Sequence, residues 1–429
     1  MKFHEVVRAQ DPAAPSEVEA LVEHLFRHSA GQMVSRLARW LGSARLDLAE
    51  EAVQDALVRA LQTWPFGGVP AEPRAWLFQV AKHRALDLIR RDVALRGKLD
   101  GLDGAADHFP EADVRDAALD DDELAMMFMC CHPSLPHAGR IALTLKTVGG
   151  FGVGEIAAAF LAEPDAIAQR LVRAKRQIRE QEIAIEIPRP DELGARLESV
   201  RDVLYLLFNE GYAAHGGENL VRAELCGEAI RLAGILSRNP ATDVPAVHAL
   251  LALMLLQASR LPARVDDAGD LLLLSEQDRA RWDHGLIAEG LSHLELAASG
   301  NEVTAYHVEA AIAAAHAVAH DQASTDWTGI VRLYDDLLAL KPSPVVELNR
   351  AIALAMTDGP GAGIAAIARI EADPTLARYY LLPAALGGLW LEAGDAGRAA
   401  VCYREALTRP CSAPERRFLE KQLARCGRR

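Results

Sequence analysis

Aromatic residues make up only 5% of this 429-residue chain, and runs of β-branched residues are scarce. With Ala and Leu dominant, that shortage points to an all-α protein. The six cysteines (Cys130, Cys131, Cys226, Cys402, Cys411 and Cys426) lack any framework spacing. Reduced thiols in a cytosolic protein are therefore expected, not disulfides. No 18-residue apolar run passes without interruption, and Met1 starts no charged-then-apolar leader, so no membrane association is expected and the protein is read as cytoplasmic. G-x-S-x-G, P-loop and triad patterns are missing as well, so neither an active site nor a cofactor is expected, and the chain is read as a non-enzyme.

The length allows two or three domains, and an apolar half supplies ample core material. A net charge of −14 argues against a protein that simply coats DNA, but the charge is segregated. Residues 73–98 carry seven bases against two acids, whereas 99–123 hold ten acids and only Arg115. Such a chain could bind nucleic acid inside a larger assembly.

The basic stretch opens at Pro73. Its apolar positions, among them Trp76, Leu77, Val80, Ala81 and Ile89, recur at helical spacing. Arg74, Lys82, Arg84, Arg90 and Arg91 stand against only Asp87, a ridge suited to a phosphate backbone. An aromatic beside it can stack on an unpaired base. The plainer account is an amphipathic helix with solvated bases.

Helices are expected from about Ser16 to Leu95. Ser16 and Glu19 form a capping box for the first. Asp47–Trp64 makes a second helix, broken by Pro65–Pro70, and Pro73 opens the third. Gly97–Asp116 reads as an acidic linker. A second helical unit runs from about Ala118 to Ile187, and Pro188-Arg-Pro190 marks a boundary. The remainder is helix after helix, with breaks at Asn239-Pro240, Lys341-Pro342, Pro360-Gly361 and Cys411. Leu386, Gly387, Trp390, Gly394-Asp395, Ala399, Tyr403 and Ala406 match a tetratricopeptide (TPR) unit, in which small residues let two antiparallel helices approach. Leu348–Ile370 reads as a degenerate companion.

Between Gly152 and Glu180 a short helix (Glu155–Phe160), a turn at Leu161-Ala162 and a basic helix opened by Pro164 follow the helix-turn-helix plan. Ile167, Leu171, Ala174 and Ile178 share one face of the basic helix. Arg170, Arg173, Lys175, Arg176 and Arg179 occupy much of the rest, where Gln169 could read a base edge.

Three sharper readings fail. Gly150-Phe-Gly-Val-Gly154 lacks the third glycine of a dinucleotide loop and any βαβ context. Cys130-Cys131-His132, with His137 nearby, continues an apolar helix and reads as buried structure, not a zinc site. His316 and His320 are four apart without the accompanying Glu, so surface or core histidines are expected. Trp282, Trp327 and Trp390 read as helix–helix core.

Taken together, the first 185 or so residues resemble the extracytoplasmic-function (ECF) group of sigma-70-type RNA polymerase sigma factors. Ala49–Ala60 resembles the helix that docks on the polymerase clamp, Arg74–Arg91 the promoter-melting and −10-reading segment, and Glu155–Arg179 the −35-reading helix-turn-helix. The rest resembles an ECF subgroup with a TPR-like extension, on Asn209-Glu-Gly-Tyr212, Arg279-Ala-Arg-Trp-Asp283 and Ser343–Arg350. The resemblance implies core RNA polymerase and promoter DNA as partners, and no metal or catalytic residues. Glu50, Glu51, Gln54 and Asp55 would face the polymerase. Lys82, His83, Arg84, Asp87, Arg90 and Arg91 would meet the −10 element with Trp76 near the melted strand, and Gln169, Arg170, Arg173 and Arg176 the −35 element. Leu161 replaces the common turn glycine, Glu163 replaces the Ser or Thr N-cap, and Ala166 and Ala168 replace polar positions. The acids of Asp100–Glu123 would suit a basic polymerase channel, or serve as a solvated tether.

The implied architecture is two small helical sigma domains (16–96 and 118–187, the second a helix-turn-helix) joined by a linker at 97–117. A larger helical-repeat regulatory domain follows at 188–429, with a protein segment as its expected ligand. The alternative is a helix-turn-helix regulator that binds DNA unaided and uses the repeats as a sensor.

Overall fold

In the computed structural model, residues 15–96, 116–160, 162–212, 223–266 and 270–427 are described. Among them the structure is helical, with one isolated bridge between Val265 and Leu271, as the scarcity of strand formers implies. The chain forms two compact units that meet in sequence at Val203 and Leu204.

The first unit contains α1 (Pro15–Leu41), α2 (Leu46–Gly67), α3 (Pro73–Arg96), α4 (Asp116–Cys130), α5 (His137–Thr147), α6 (Val153–Ala159), α7 (Pro164–Glu180) and the first part of α8 (Pro190–Tyr212). Helix α1 begins at Pro15, which places Ser16 within its first turn and not at an N-cap. In α2 the buried positions Ala49, Val53, Ala56, Leu57, Ala60 and Trp64 trace one helical stripe. Pro65 does not break this helix. It sits in the last turn, and the chain turns away at Gly68, where φ is 78° and the amide donates to the Trp64 carbonyl at 3.0 Å.

The acidic run does not remain a linker throughout. Five of its ten acids, from Asp116 to Glu123, belong to α4; there Asp122 pairs with Arg39 at 2.8 Å and Glu123 is buried. Those acids therefore do not fit the expected threading segment, while Asp100–Arg115 lies outside the described residues. Leu124 through Cys131 is buried without a gap, so α4 ends as a core helix. The start of α8 fastens onto it: Arg196 donates to the Phe128 carbonyl at 2.8 Å and Ser199 to the Cys131 carbonyl at 2.6 Å. This is why the division falls inside α8 and not at Pro188–Pro190.

The second unit continues α8 and adds α9 (Ala223–Arg238), α10 (Pro245–Ala258), α11 (His284–Ala297), α12 (Ala305–Val318), α13 (Trp327–Leu340), α14 (Pro344–Asp358), α15 (Pro360–Ile367), α16 (Leu381–Glu392), α17 (Ala396–Thr408) and α18 (Ala413–Cys426). Contacts run chiefly between successive helices. The stretch Pro245–Ala263 is long and apolar enough to span a bilayer, but 78% of it is buried inside the protein, as befits a core helix. Gly359, with φ 85°, separates α14 from α15, and Pro360 opens the new helix, so the expected break lies one residue earlier.

Two glycines set close helix approaches here. A Cβ on Gly387 of α16 would lie 3.0 Å from the Tyr403 ring of α17, and one on Gly363 of α15 would lie 2.7 Å from the Ala355 Cβ of α14. Ala399, Tyr403 and Ala406 are buried beside the first of these contacts. Trp282 is fully in the core, while Trp327 and Trp390 are half-buried at its margins.

Candidate nucleic-acid interface

Helices α2 and α3 pack side by side, and Trp76 meets the buried Trp64 edge-on, ring centroids 5.4 Å apart. Trp76 is half-buried, so one part of the indole serves packing and another faces outward. On α3, His83, Asp87, Arg90 and Arg91 are exposed and Lys82 is half-buried. Asp87 and Arg90 form an exposed pair at 3.5 Å, of little energetic weight. Arg84 is engaged differently. Its guanidinium donates to Asp55 and stands 3.7 Å from Glu51, both on α2. Arg74 donates to Gln32 on α1. Between the helices lies an open groove of about 530 Å³, lined by Asp55, Arg59, Gln62, His83, Arg84 and Asp87 among others.

Helix α7 carries two basic stripes. Its apolar side is Ile167, Leu171, Ala174 and Ile178, all buried. Gln169, Arg173 and Arg176, spaced i, i+4 and i+7, form an exposed outer stripe, with Arg170 half-buried beside it. Arg173 donates to Gln169 at 3.2 Å, and Arg176 lies 3.5 Å from Glu180. Glu163 precedes the helix without a capping side-chain bond, and Pro164 takes the first helical position. Leu161 lies outside the described residues.

The second stripe faces α2, with Lys175 enclosed and Arg179 exposed at its edge. Lys175 donates to Asp47 at 2.7 Å and to Glu50 at 2.8 Å, and Arg179 to Asp47 at 3.1 Å. Thr147, at the end of α5, donates to the other Glu50 oxygen at 3.2 Å. Burial alone would lower the Lys175 ammonium, but Glu50 and Asp47 outweigh it and hold its pKa above the usual value. Of the residues expected to face the polymerase, Glu50 is thus enclosed, Asp55 holds Arg84, and Glu51 and Gln54 are exposed.

Sequence reasoning placed Lys175 and Arg179 on the basic, DNA-facing surface of α7 and gave Asp47 no role, so it missed this contact. Bases at i, i+4 on one helix can meet acids at i, i+3 on another, but only tertiary packing says which helices pair.

The remaining candidates settle as structure. Cys130 and Cys131 are buried, and burial pushes the Cys131 thiol up to about 11. His316 is held neutral, its pKa pushed down to about 4 by burial and by Arg260 and Arg279, while the His320 side chain is 96% exposed.

The first unit thus sets a basic helix on an acidic one, beside a half-buried tryptophan. Among known families, residues 25–94 match sigma-70 region 2. Residues 196–298 match a family of unknown function, DUF6596. An uncharacterized protein of Rhizobium meliloti (strain 1021) is 40% identical over 384 residues, covering 88% of this chain and 90% of that protein. The chain belongs to the same family as that protein, and the region 2 match at residues 25–94 supports a sigma-70 family factor. No solved structure matches it.

Proposed function

We propose that the chain is an ECF-type sigma factor that brings core RNA polymerase to a particular promoter set and helps open the duplex there. The observation that carries this reading is the sigma-70 region 2 match over 25–94, which coincides with α2 and the exposed basic ridge of α3. In this reading α3 meets the −10 element through Lys82, His83, Arg90 and Arg91, with Trp76 beside the unpaired strand. The outer stripe of α7 (Gln169, Arg170, Arg173 and Arg176) reads the −35 element. Arg84 acts indirectly, fixing α3 against α2. Glu51 and Gln54 meet the polymerase first, and bond-making chemistry belongs to the polymerase alone. The second unit is a TPR-like regulatory extension whose ligand is a protein segment.

Run-off transcription with core polymerase tests the assignment. The full chain should initiate only when core is present. Arg90→Glu with Arg91→Glu should lower initiation by about 100-fold, since two phosphate contacts become repulsive. Arg173→Glu with Arg176→Glu should lower it by about 10-fold, and the loss should depend on the −35 sequence. Tight binding of the free chain to promoter duplex, with no core-dependent initiation, would replace this reading with the unaided regulator.

A further inference from the structure

Two histidines with no part in the proposed function meet in the second unit. His248 of α10 and His293 of α11 stack with ring centroids 5.0 Å apart, and their Nδ1 atoms lie 2.8 Å from each other. The other His248 nitrogen, Nε2, lies 2.6 Å from an Asp243 carboxylate oxygen. A carboxylate only accepts, so Nε2 carries a proton and the neutral His248 ring has a bare Nδ1. His293 must then present Nδ1–H to it. The result is a directed chain, in which His293 donates to His248 and His248 donates to Asp243.

This chain of bonds survives one added proton and not two. A first proton on the outer nitrogen of His293 leaves both bonds as they are. A second, on His248 Nδ1, sets two N–H groups against each other at 2.8 Å between stacked cations. The helices have little room to relieve that clash. A Cβ on Gly290 of α11 would lie 2.8 Å from the Leu256 Cγ of α10, and one on Gly300, just past α11, 2.7 Å from the Pro245 Cγ. These approaches hold the two helices together on both sides of the pair, and the His248 side chain is only 10% exposed. Burial and then His248 keep the His293 pKa below its usual value, against the opposite pull of Glu289. The acids that act on the pair are thus Asp243 and Glu289. On the flanking helices, Glu228 and Arg231 of α9 pair with each other and Arg238 folds back toward Gly234. On α12, His307 bonds to Thr304, Glu309 accepts from Tyr205, and His316 lies beside Arg260 and Arg279.

We propose that Asp243, His248 and His293 form a pH-sensitive clasp, which joins α10 to α11 while the two rings share at most one added proton and parts them when both are charged. The folded pair resists the second proton, whereas the unfolded chain takes it freely. The clasp therefore contributes fully at neutral pH, and its contribution is lost as pH falls below the ordinary histidine value. Because α10 also packs on α9 and α12, its release loosens the middle of the second unit. Acid alone, with no ligand, then alters the extension.

Hydrogen exchange of the full chain at about pH 7.5 and about pH 5, corrected for the intrinsic pH dependence of exchange, tests the clasp. The amides of α10 and α11 should open about 10-fold more at the lower pH. His293→Asn keeps a neutral N–H donor opposite His248 at both values and should abolish that loosening. Asp243→Asn removes the charge that holds the first proton, so the closed pair resists both, and loosening at the lower pH should deepen by about a further 10-fold. His316→Gln, which lacks the other acid-sensitive ring, should loosen α10 and α11 as the unaltered chain does. Circular dichroism at the higher pH verifies the fold of each variant. The C2–H resonances of the two rings should titrate in separate steps. Equal loosening in His293→Asn and the unaltered chain overturns the proposal. So does an unaltered chain in which both rings are charged while α10 and α11 stay protected.

Discussion

The two units hold themselves together in different ways. In the first, helices distant in sequence meet: α1 packs on α4 and α5, and α7 bonds to the start of α2 across more than 120 residues. In the second, contacts run chiefly between successive helices, with α10 against α12 the main exception, and glycines at 363 and 387 set the approach of two successive pairs. A neighbour-packed array loses structure locally when damaged. A unit knit by distant contacts loses it as a whole, and it can also place two functional helices face to face, as α2 and α7 are.

Trp64→Ala should produce the largest effect. The side chain is 2% exposed, and its removal should cost about 3–5 kcal/mol. Denaturant unfolding gives the magnitude, and hydrogen exchange should show loosening through α1 to α4; loosening confined to α2 and α3 would break the comparison. Next comes Leu419→Ala in α18, at about 2–4 kcal/mol, since Leu419 is fully buried with Tyr403 and Ala406. Here the same measurement should show damage fading before α14, and spread to α10 would contradict a unit packed chiefly between neighbours.

The smallest effect is a pH response at α12 and α13. His316 packs edge-on against Trp327, and its pKa is pushed down to about 4. Above pH 6.5 the ring is neutral in both folded and unfolded chains, so it makes no difference to stability there. Below that, the unfolded chain takes up a proton that the folded chain refuses until about pH 4. Stability should therefore fall by about 2 kcal/mol between pH 7 and 4.5 on this account. His316→Gln should show a shallower pH dependence, measured by denaturant midpoints at the two pH values. An identical slope in the variant would remove the histidine as the cause.

Much of this was legible in the residues. The apolar stripe of α7, its proline start, the buried cysteines and the pairing of α16 with α17 follow from local spacing and the size of side chains. Ends were less legible. Pro65 is tolerated because the last turn of α2 loses little by it, and the chain leaves the helix only where Gly68 permits a positive φ. Half of the acidic run proved helical because α4 carries a buried apolar segment that draws Asp116–Glu123 into its opening turns. The division at Val203 was hidden as well, since it depends on Arg196 and Ser199 reaching the carbonyls of Phe128 and Cys131.

The sequence by itself determined that the chain is helical, which stripes are buried, and which two helices are rich in bases, because propensity and periodicity act over a few residues. Only the tertiary structure decided which of those bases remain available. Arg173 and Arg176 face outward, whereas Lys175, Arg179 and Arg84 are bound to the acids of α2. The physical reason is that a charge's partner is set by distance in space, and a contact from residue 175 to residue 47 leaves no mark in local pattern.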